Sequence, residues 1–282
     1  EGLKGYRSAR QVQETHRKIK DNGYHFRDIG CRSEDYLYYY QVQFSPLTTG
    51  SLPNGQVKGY GEYSFMTQEN ISIIIPTLNE EEYIKRCIET VVHVPGIEVI
   101  IADGGSTDST IQIAREYSDV TVVSSMRGRS LQMNSGVSYS NGDILLFLHA
   151  DCILPGEIVP AIRHVFESSR AVGGAFTMKL LSDKFVYRML EKGINLRSRI
   201  FKLPYGDQGV FVKRSLFKEL GGFKKMTACE DLDFIWRMKR YGRITILDEE
   251  ILTSVRRWGK DGLLRTSVRN QLLLTSYLLG RI

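Results

Sequence analysis

The chain has 282 residues, of which 42% are hydrophobic and 25% are charged. This composition is close to that of an average globular protein, so it excludes intrinsic disorder, collagen and coiled coil as descriptions of the whole chain. The apolar runs are short, such as Ile144 to Leu148, whereas a membrane span needs roughly 18–20 apolar residues. Because the chain begins at Glu1 without a Met, we expect a processed or trimmed start, and a targeting segment upstream stays an open question.

The net charge is +6, from 38 basic and 32 acidic residues. Such an excess could favour an anionic partner, namely nucleic acid, an anionic membrane surface or a phosphorylated ligand. The sequence contains no run of five basic residues, so a mixed charged surface is the simpler interpretation. Nucleic-acid binding would depend on charge alone and is not expected.

The four cysteines lie far apart and form no Cys-x-x-Cys pair: Cys31, Cys87, Cys152 and Cys229. This spacing argues against a structural zinc site and against a disulfide scaffold. It predicts four free thiols in a reducing compartment. We therefore expect a cytoplasmic protein, with association to a membrane left open.

The first 69 residues differ in composition from the rest of the chain. They are polar and rich in Tyr, and they include a loop-like stretch from Pro46 to Gly61. The pattern predicts an amphipathic helix around Ser8 to Lys20 and a strand around Tyr36 to Phe44. Because so short a segment holds little core, residues 1–69 are interpreted as an extension that packs on the main domain, residues 70–282, or on a partner.

From Ile71 onward, apolar strands alternate with helical segments. We predict strands at 71–75, 98–102, 120–124 and 143–148, with helices at about 80–92, 108–117 and 129–140. Near-continuous apolar strands separated by helices are typical of a parallel sheet that is covered on both faces. After Asp151 the alternation loosens, with helices predicted near 156–168, 185–199, 214–220 and 230–241, and strands near 173–180 and 209–213. The fold class is therefore α/β, with a parallel first half and a mixed second half.

Three predicted strands end in polar residues at the edge of the sheet where ligands of open α/β folds bind. The sequence after the first strand is Pro76-Thr77-Leu78-Asn79-Glu80, and after the second it is Asp103-Gly104-Gly105-Ser106-Thr107-Asp108. The fourth strand ends in His149-Ala150-Asp151. Each motif alone has a structural explanation, since a strand–turn–helix junction needs glycine and a helix cap. The three together indicate a functional edge.

These motifs, in this order, resemble family 2 glycosyltransferases, which have the GT-A fold. The resemblance covers residues 70–282 and leaves out residues 1–69. A finer pattern is similar to the bacterial subgroup of arsenosugar-biosynthesis and radical-SAM/selenodomain-associated transferases. That pattern comprises Gly128-Arg129, Gln132-Met133-Asn134, His149-Ala150-Asp151, Pro204-Tyr205-Gly206-Asp207-Gln208, Glu230-Asp231-Leu232-Asp233 and Arg256-Arg257-Trp258.

The resemblance implies transfer of a sugar from a nucleotide-diphosphate donor, with UDP as the expected nucleotide. It also implies a Mg²⁺ or Mn²⁺ ion that neutralises the leaving diphosphate. Asp151 matches the last carboxylate of the family's Asp-x-Asp metal motif, and His149 stands where the first Asp would be. His149 is either a second metal ligand, a contact to ribose or a hydrogen-bonded structural histidine.

The same resemblance assigns a set of donor-binding residues. Asp103 would contact the base or ribose, and Arg129 would contact the diphosphate from the start of a helix. A solvated charge at a helix start is the alternative for Arg129. The full expected donor set is Pro76, Thr77, Asn79, Glu80, Asp103, Gly128, Arg129, Asn134, Ala150, Arg257 and Trp258.

In a one-step displacement, which inverts the sugar carbon, the acceptor oxygen attacks that carbon directly. The catalytic base should therefore be a carboxylate that deprotonates the acceptor hydroxyl. Asp231 is the predicted base and Glu230 its catalytic neighbour. Helix capping is the alternative for this pair, since carboxylates favour a helix N-terminus. Tyr205, Gly206, Asp207 and Gln208 match a loop on the acceptor side.

The leading hypothesis is an inverting, metal-dependent glycosyltransferase that acts on a small or lipid-linked acceptor. A catalytically inactive nucleotide-sugar-binding protein, with residues 1–69 as an interaction module, is the alternative that His149 supports. A nucleotidyltransferase would need a Gly-rich basic loop after the first strand, and Pro76-Thr77-Leu78-Asn79 is not one. The apolar segment from Leu272 to Leu279 is interpreted as core, with a dimer face or peripheral membrane contact left open.

Overall fold

The computed structural model describes residues 70–154, 158–168, 170–226 and 228–262, together with residues 265, 266, 272, 276 and 277. Its first half alternates strands and helices as predicted. The elements in chain order are β1 (Ile71–Thr77), α1 (Ile84–Glu89), β2 (Ile97–Asp103), α2 (Thr110–Ala114), β3 (Val120–Ser124), α3 (Arg129–Ser138) and β4 (Ile144–Phe147). The predicted extension, with its helix and strand, lies outside the described residues.

The second half is mixed, also as predicted. It comprises β5 (Cys152–Ile153), α4 (Ile158–Ser168), β6 (Ala171–Leu180), α5 (Phe185–Phe201), a 3-10 turn (Gly206–Gln208), β7 (Val210–Lys213), α6 (Arg214–Glu219), α7 (Glu230–Met238), β8 (Arg243–Thr253) and α8 (Arg256–Asp261). None of the helices in the described part of the chain is long and apolar enough to cross a membrane.

The strands form one eight-stranded sheet in the order β3-β2-β1-β4-β7-β6-β8-β5. The pairs among β1 to β4 are parallel, so their carboxyl ends meet at one edge. Strand β7 runs antiparallel to β4, with Val210 opposite Phe147. This reversal brings the turn that precedes β7 to the edge where β4 ends, and so adds a second-half segment to the site.

Side-chain alternation along the central strands divides the core into two layers. Ile71, Ile73 and Ile75 of β1 pack in one apolar cluster, while Ile74 packs in the other on the opposite face. Strand β4 divides in the same way, with Leu146 in the first cluster and Phe147 in the second. Helices cover both faces, which explains why these strands read as unbroken apolar runs.

Four elements were absent from the sequence prediction: β5, the 3-10 turn, β8 and α8. Strand β8 is long, but its centre carries the exposed residues Asp248, Glu249 and Glu250. Its pairing with β6 is also interrupted by register shifts, and such irregularities break the two-residue alternation that marks a strand. The two-residue β5 is too short to produce a pattern.

Candidate active site

Register places two of the predicted polar motifs side by side at the carboxyl edge. Thr77, the last residue of β1, lies opposite Asp103, the last residue of β2. The Thr77 hydroxyl donates a hydrogen bond to Asp103 Oδ1 at 3.3 Å, and both residues are buried. The main chain just beyond these residues continues the pairing, because the Gly104 N–H donates to the Thr77 carbonyl at 2.9 Å.

The Asp103 carboxylate accepts hydrogen bonds from the loop that directly follows it. Its Oδ2 accepts hydrogen bonds from the main-chain N–H groups of Gly105 and Ser106, each at 2.9 Å, and its Oδ1 also accepts one from the Ser106 hydroxyl. Gly105 has φ +93°, a conformation that glycine adopts without strain. The carboxylate therefore shapes the turn that would face a nucleotide.

Asn79 and Glu80 are fixed to the second motif by main-chain contacts. The Asn79 side-chain oxygen accepts the N–H of Thr107 at 2.8 Å, and the Asn79 N–H donates to Ser106 Oγ at 2.9 Å. The Glu80 N–H donates to the Thr110 hydroxyl at 2.7 Å. Asn79 has φ +55°, which asparagine tolerates better than most residues. The loops after β1 and β2 thus form one connected surface.

Helix α3 joins this edge through Gln132, which the site prediction omitted. Its side-chain amide donates to the carbonyls of Thr77 at 2.7 Å and of Ala102 at 3.0 Å, so one residue ties β1 to β2. Asn134 accepts the N–H of Phe223 at 2.9 Å and donates to the Phe223 carbonyl at 2.8 Å. Both hydrogen bonds of the Asn134 amide therefore hold the loop before α7.

Arg129 begins α3 directly after Gly128, whose φ is +137°. Arg129 Nη1 lies 3.0 Å from Glu230 Oε1; the Glu230 side chain is buried, whereas that of Arg129 is 41% exposed. The pair links the start of α3 to the start of α7. The buried Glu230 carboxylate is thereby paired with a guanidinium that keeps solvent access on its other side.

Asp231 sits at the start of α7, where the strained backbone of Cys229, with φ +64°, turns the chain into the helix. Its Oδ2 accepts the Gly206 N–H at 2.6 Å and its Oδ1 accepts the Leu232 N–H at 2.8 Å. Asp233 points away from Asp231 and forms an ion pair with Arg237 Nε at 2.7 Å. Main-chain donors therefore fix the direction of the Asp231 carboxylate.

Gly206 lies between Asp231 and His149, so no larger residue fits there without movement. A Cβ on Gly206 would come within 3.0 Å of both Asp231 Oδ2 and His149 Nε2. Arg129, His149, Gly206 and Asp231 line one pocket, whose floor is apolar. The sequence separates these four residues widely. The antiparallel pairing of β4 with β7 brings His149 and Gly206 together, and the starts of α3 and α7 add Arg129 and Asp231.

The carbonyl of His149 accepts a contact from the Cys87 thiol at 3.7 Å and the N–H of Cys152 at 3.0 Å. Burial, with a further contribution from Asp151, raises the pKa of both Cys87 and Cys152 well above the usual range. Both groups remain thiols at neutral pH. Cys87, Cys152 and Cys229 are free cysteines, as predicted, and Cys31 lies outside the described residues.

The acceptor-side loop is held by contacts to α5, β6 and β8. Gln208 is fully buried, accepting the Ser198 hydroxyl at 2.7 Å and donating to the Phe176 carbonyl at 3.1 Å. The Asp207 carbonyl accepts the Thr253 hydroxyl at 3.1 Å. Tyr205 lies under the Arg197 guanidinium, 3.6 Å from the ring centre, and burial raises its pKa.

Asp151 is paired with Arg256, a residue that the site prediction did not include. Arg256 Nε donates to Asp151 Oδ2 at 2.9 Å, and its two terminal nitrogens reach Glu80 at 2.7 and 2.6 Å. Burial alone would lower the pKa of Arg256, but the hydrogen bonds and charges of Glu80 and Asp151 outweigh it and raise that pKa. The pairing of β5 with β8 explains the contact. Just beyond it, the Ser254 N–H donates to the Asp151 carbonyl at 3.1 Å, which places Arg256, two residues later, beside Asp151.

The side chains around Asp151 fit a divalent cation that arrives with a diphosphate. Among the described residues no group of three or more His, Cys, Asp or Glu side chains could hold an ion alone. Mg²⁺ commonly uses one or two carboxylates and completes its shell with phosphate oxygens and water. Asp151 Oδ1, which accepts only a long 4.0 Å contact from Cys152 Sγ among the described residues, meets that need.

The remaining donor predictions concern residues with little polar contact. Pro76 lies within β1, opposite Ala102 of β2, and Ala150 is buried in the apolar cluster that contains Ile73. Trp258 is buried in a small apolar cluster with Met178 and Leu180, and its side chain acts as core in this arrangement. The side chain of Arg257 lies outside the described residues. Of the two described side chains in the Arg-Arg-Trp motif, that of Arg256 joins the carboxyl edge.

Comparison with known proteins identifies the family. The model of glycosyl transferase family 2 matches residues 72–221, more than half of the chain. The chain belongs to this family. The matched range begins within β1 and ends just after α6, so it includes the first and fourth strand ends and the acceptor-side loop.

Several curated glycosyltransferases are similar in sequence. AglE from Haloferax volcanii is 35% identical over 92 residues, which cover 29% of this chain and 30% of that protein. A PGL/p-HBAD biosynthesis glycosyltransferase from Mycobacterium tuberculosis is 29% identical over 182 residues, covering 60% and 69%. GlyA from Streptococcus pneumoniae is 20% identical over 72% of this chain. The chain spans less than a third of the length of AglE and GlyA.

Solved glycosyltransferases share the fold. TarS from S. aureus, residues 1–349 in complex with UDP, aligns with a TM-score of 0.55 at 20% identity over 66% of this chain and 60% of that chain. The mannosyltransferase PcManGT from Pyrobaculum calidifontis, in complex with GDP-Man and Mn²⁺, aligns with a TM-score of 0.52 at 19% identity over 67% and 58%. The predicted GT-A type of α/β fold is confirmed.

Proposed function

We propose that this family 2 member transfers a sugar from a nucleotide-diphosphate donor, UDP being the expected nucleotide, to an acceptor hydroxyl. One observation carries the proposal. The Asp231 carboxylate, directed by the Gly206 N–H at 2.6 Å, lines one small cavity together with Arg129, a partly exposed cation at the carboxyl edge of the sheet. A base and a counter-charge for a leaving diphosphate are the two groups that such a transfer needs.

Asp231 would act as the base in a one-step displacement. It takes the proton of the acceptor hydroxyl while the acceptor oxygen forms a bond to the anomeric carbon. The bond from that carbon to the diphosphate oxygen breaks, and its electron pair leaves with the nucleotide. Because attack and departure occur on opposite faces, the configuration at the sugar carbon inverts. The two main-chain donors on Asp231 hold the carboxylate in one orientation before the acceptor arrives.

Cationic groups would neutralise the departing diphosphate. Arg129 keeps its outer face toward solvent while Glu230 orients its inner face. Arg256 lies across Asp151 and Glu80 at the same edge. A Mg²⁺ or Mn²⁺ ion on Asp151, when bound with the donor, would supply further neutralisation. The Mn²⁺ in PcManGT and the Mg²⁺ with UDP in a mycobacterial glucosyl-3-phosphoglycerate synthase, which aligns at a TM-score of 0.50, support this assignment.

The finer assignments follow from the motifs. The arsenosugar and selenodomain-associated subgroup is the one that Gln132-Met133-Asn134 and the Pro204 to Gln208 motif resemble. Three amide side chains of these motifs are buried or half-buried and hold loops by hydrogen bonds to main-chain carbonyls: Gln132, Asn134 and Gln208. These contacts explain why the three positions are polar.

Binding without catalysis is the second candidate. His149 replaces a carboxylate, and Arg256 already neutralises Asp151, so the protein could hold a nucleotide sugar without breaking it. The fixed direction of the Asp231 carboxylate favours catalysis, since a capping residue alone would have no need of the Gly206 N–H from a distant loop. Measured donor turnover separates the two.

The decisive experiment replaces Asp231 with Asn. Asp231→Asn keeps the size of the side chain but cannot accept the acceptor proton at neutral pH. We expect transfer to fall by about 10²–10⁴, the usual contribution of a positioned general base. UDP affinity, measured by calorimetry, should stay within a few-fold because Arg129 and the loops after β1 and β2 are unchanged.

Two controls accompany that variant. Asp119→Asn makes the same chemical change on an exposed carboxylate and should leave transfer intact. Glu230→Gln should weaken UDP binding more than Asp231→Asn does, because it removes the charge that orients Arg129 at 3.0 Å. Near-normal transfer by Asp231→Asn would return this residue to a capping role and would refute the proposed mechanism.

A further inference from the structure

The outer face of helix α5 carries a row of large apolar side chains in contact with solvent. Phe185, Met189, Leu196 and Ile200 are 54–78% exposed. Their positions fall at i, i+4, i+11 and i+15, which a helix of 3.6 residues per turn aligns on one face. Gly193 lies in the same row, and a Cβ placed on it would meet no atom within 4 Å. We call these five residues the apolar stripe.

The opposite face of α5 packs on the rest of the domain, so the apolar stripe is not a misplaced part of the core. Asn195 bonds both main-chain groups of Met178, accepting its N–H at 2.9 Å and donating to its carbonyl at 2.8 Å. Leu190 and Ile194 pack against the cluster of Met178, Leu180 and Trp258. A helix with one satisfied face and one exposed apolar face has a second surface to bury.

Basic residues surround the apolar stripe. Residues 184–202 contain six Lys or Arg and one Glu: Lys184, Arg188, Glu191, Lys192, Arg197, Arg199 and Lys202. Lys192 lies on the stripe's flank, and Lys184 and Lys202 stand at the two ends of the helix; all three are exposed. Arg188 and Arg199 are partly neutralised by Glu191 and Asp248. The remaining lysines give the face a positive rim.

We propose that α5 docks this protein on an anionic bilayer, with the apolar stripe among the acyl chains and the lysines at the headgroups. Interfacial helices combine a polar, basic side with Phe, Leu and Ile on the other, and their overall hydrophobicity is low. Lysines near an anionic surface add attraction that salt screens. A second protein copy would have to place the same lysine rim against itself, and this charge arrangement therefore favours lipid.

The helix is joined directly to the acceptor side of the pocket. Ser198 donates to Gln208 at 2.7 Å, and Arg197 covers the Tyr205 ring at 3.6 Å. Gly206, which lies between Tyr205 and Gln208 in the chain, donates its N–H to Asp231 Oδ2. A docked α5 would thus hold the pocket beside the membrane surface, and the acceptor would be a lipid-borne hydroxyl. This last step rests on the proposed function, whereas the docking does not.

Vesicle co-sedimentation of the full chain tests the docking without donor or acceptor. The probes are vesicles of phosphatidylcholine with phosphatidylglycerol, and vesicles of phosphatidylcholine alone. We expect binding to the anionic vesicles that weakens with added salt. Leu196→Ser with Ile200→Ser should weaken it by at least about tenfold, because two buried apolar side chains are lost from the interface.

Matched variants separate charge and fold from the apolar contact. Lys184→Gln with Lys192→Gln should weaken binding to anionic vesicles by at least about fivefold. Tyr139→Ser with Tyr241→Ser removes two exposed aromatics outside α5 and should leave binding unchanged. Each variant is compared with the parent by circular dichroism, and since all the sites are exposed or half-exposed we expect folded proteins.

Three results would overturn the proposal. They are absence of binding to anionic vesicles, equal binding by the Leu196→Ser/Ile200→Ser variant, and a vesicle-free dimer that this variant converts to a monomer in analytical ultracentrifugation. The last result would identify the stripe as a subunit interface. Vesicle binding by a chain that turns over no nucleotide sugar would refute the proposed function alone and leave the docking in place.

Discussion

Arg256 contacts the predicted site although the donor set expected from the sequence did not include it. The resemblance pointed to Arg257 and Trp258, yet the guanidinium of Arg256 reaches Glu80 and Asp151. The Asp151 side chain is 8% exposed, and a charge so little hydrated requires a partner. The arginine supplies that partner, and a bound cation would share the same carboxylate.

Asp151→Asn tests this sharing. We expect the variant to lose the Mn²⁺ dependence of UDP binding, because an amide is a much weaker ligand for a hard cation than a carboxylate. Thermal shift with UDP, with and without Mn²⁺, provides the measurement, since a bound ligand raises the melting temperature by mass action. An undiminished Mn²⁺ effect would remove Asp151 from the metal site.

Arg256→Met is the companion variant. It removes the competing cation while preserving much of the side-chain volume, so Mn²⁺ alone should raise the melting temperature more than it does in the parent chain. Its own stability should fall, because Glu80 and Asp151 are left with less compensation. The two variants therefore shift the Mn²⁺ response in opposite directions.

At the scale of elements, polar side chains on α3 attach the site's loops to the sheet. Gln132 ties the ends of β1 and β2, and Asn134 holds Phe223 by two hydrogen bonds. Phe223 in turn packs edge-on against Phe147 at a ring-centre distance of 4.8 Å. The loop that leads to Asp231 is thus anchored by both a polar and an aromatic contact.

Asn134→Ala should destabilise the fold rather than impair donor recognition. Losing two hydrogen bonds to main-chain groups is expected to cost about 1–3 kcal/mol of unfolding free energy. UDP affinity in the folded variant should remain near that of the parent. Urea denaturation and calorimetry give the two quantities.

The matched control for Asn134→Ala lies on the same helix. Ser138 is exposed and its hydroxyl donates to the Ser135 carbonyl one turn earlier, so Ser138→Ala should change stability little. A large loss of UDP affinity in Asn134→Ala, without a loss of stability, would restore the donor-binding role that the sequence assigned to this residue.

At the scale of the whole molecule, the predicted division at residue 70 has a direct test. Deleting residues 1–69 should leave UDP affinity largely intact, because the described contacts of the donor edge begin at Pro76 and extend to Arg256. Calorimetry on the truncated chain measures the affinity, and its thermal melt establishes that it is folded. A folded truncation that no longer binds UDP would contradict the division.

Local patterns of residues are sufficient to predict the fold class, the first four strands and the motifs at their ends. The physical reason is local: a strand buried on both faces must be apolar throughout, and a strand–turn–helix junction must carry glycine and polar caps. Ile71 to Thr77 and the Asp103 loop meet both requirements within a few residues. Patterns of this kind need no knowledge of distant contacts.

Long-range packing, by contrast, establishes which polar residues share a site and which surface remains exposed. Gly206, His149 and Asp231 meet because β7 runs antiparallel to β4, and Arg256 reaches Asp151 because β5 pairs with β8. The apolar stripe of α5 has the same sequence pattern as a buried helix face, since periodicity identifies an apolar face but not what covers it. These outcomes depend on pairings between residues far apart in the chain, and such pairings leave little local signal.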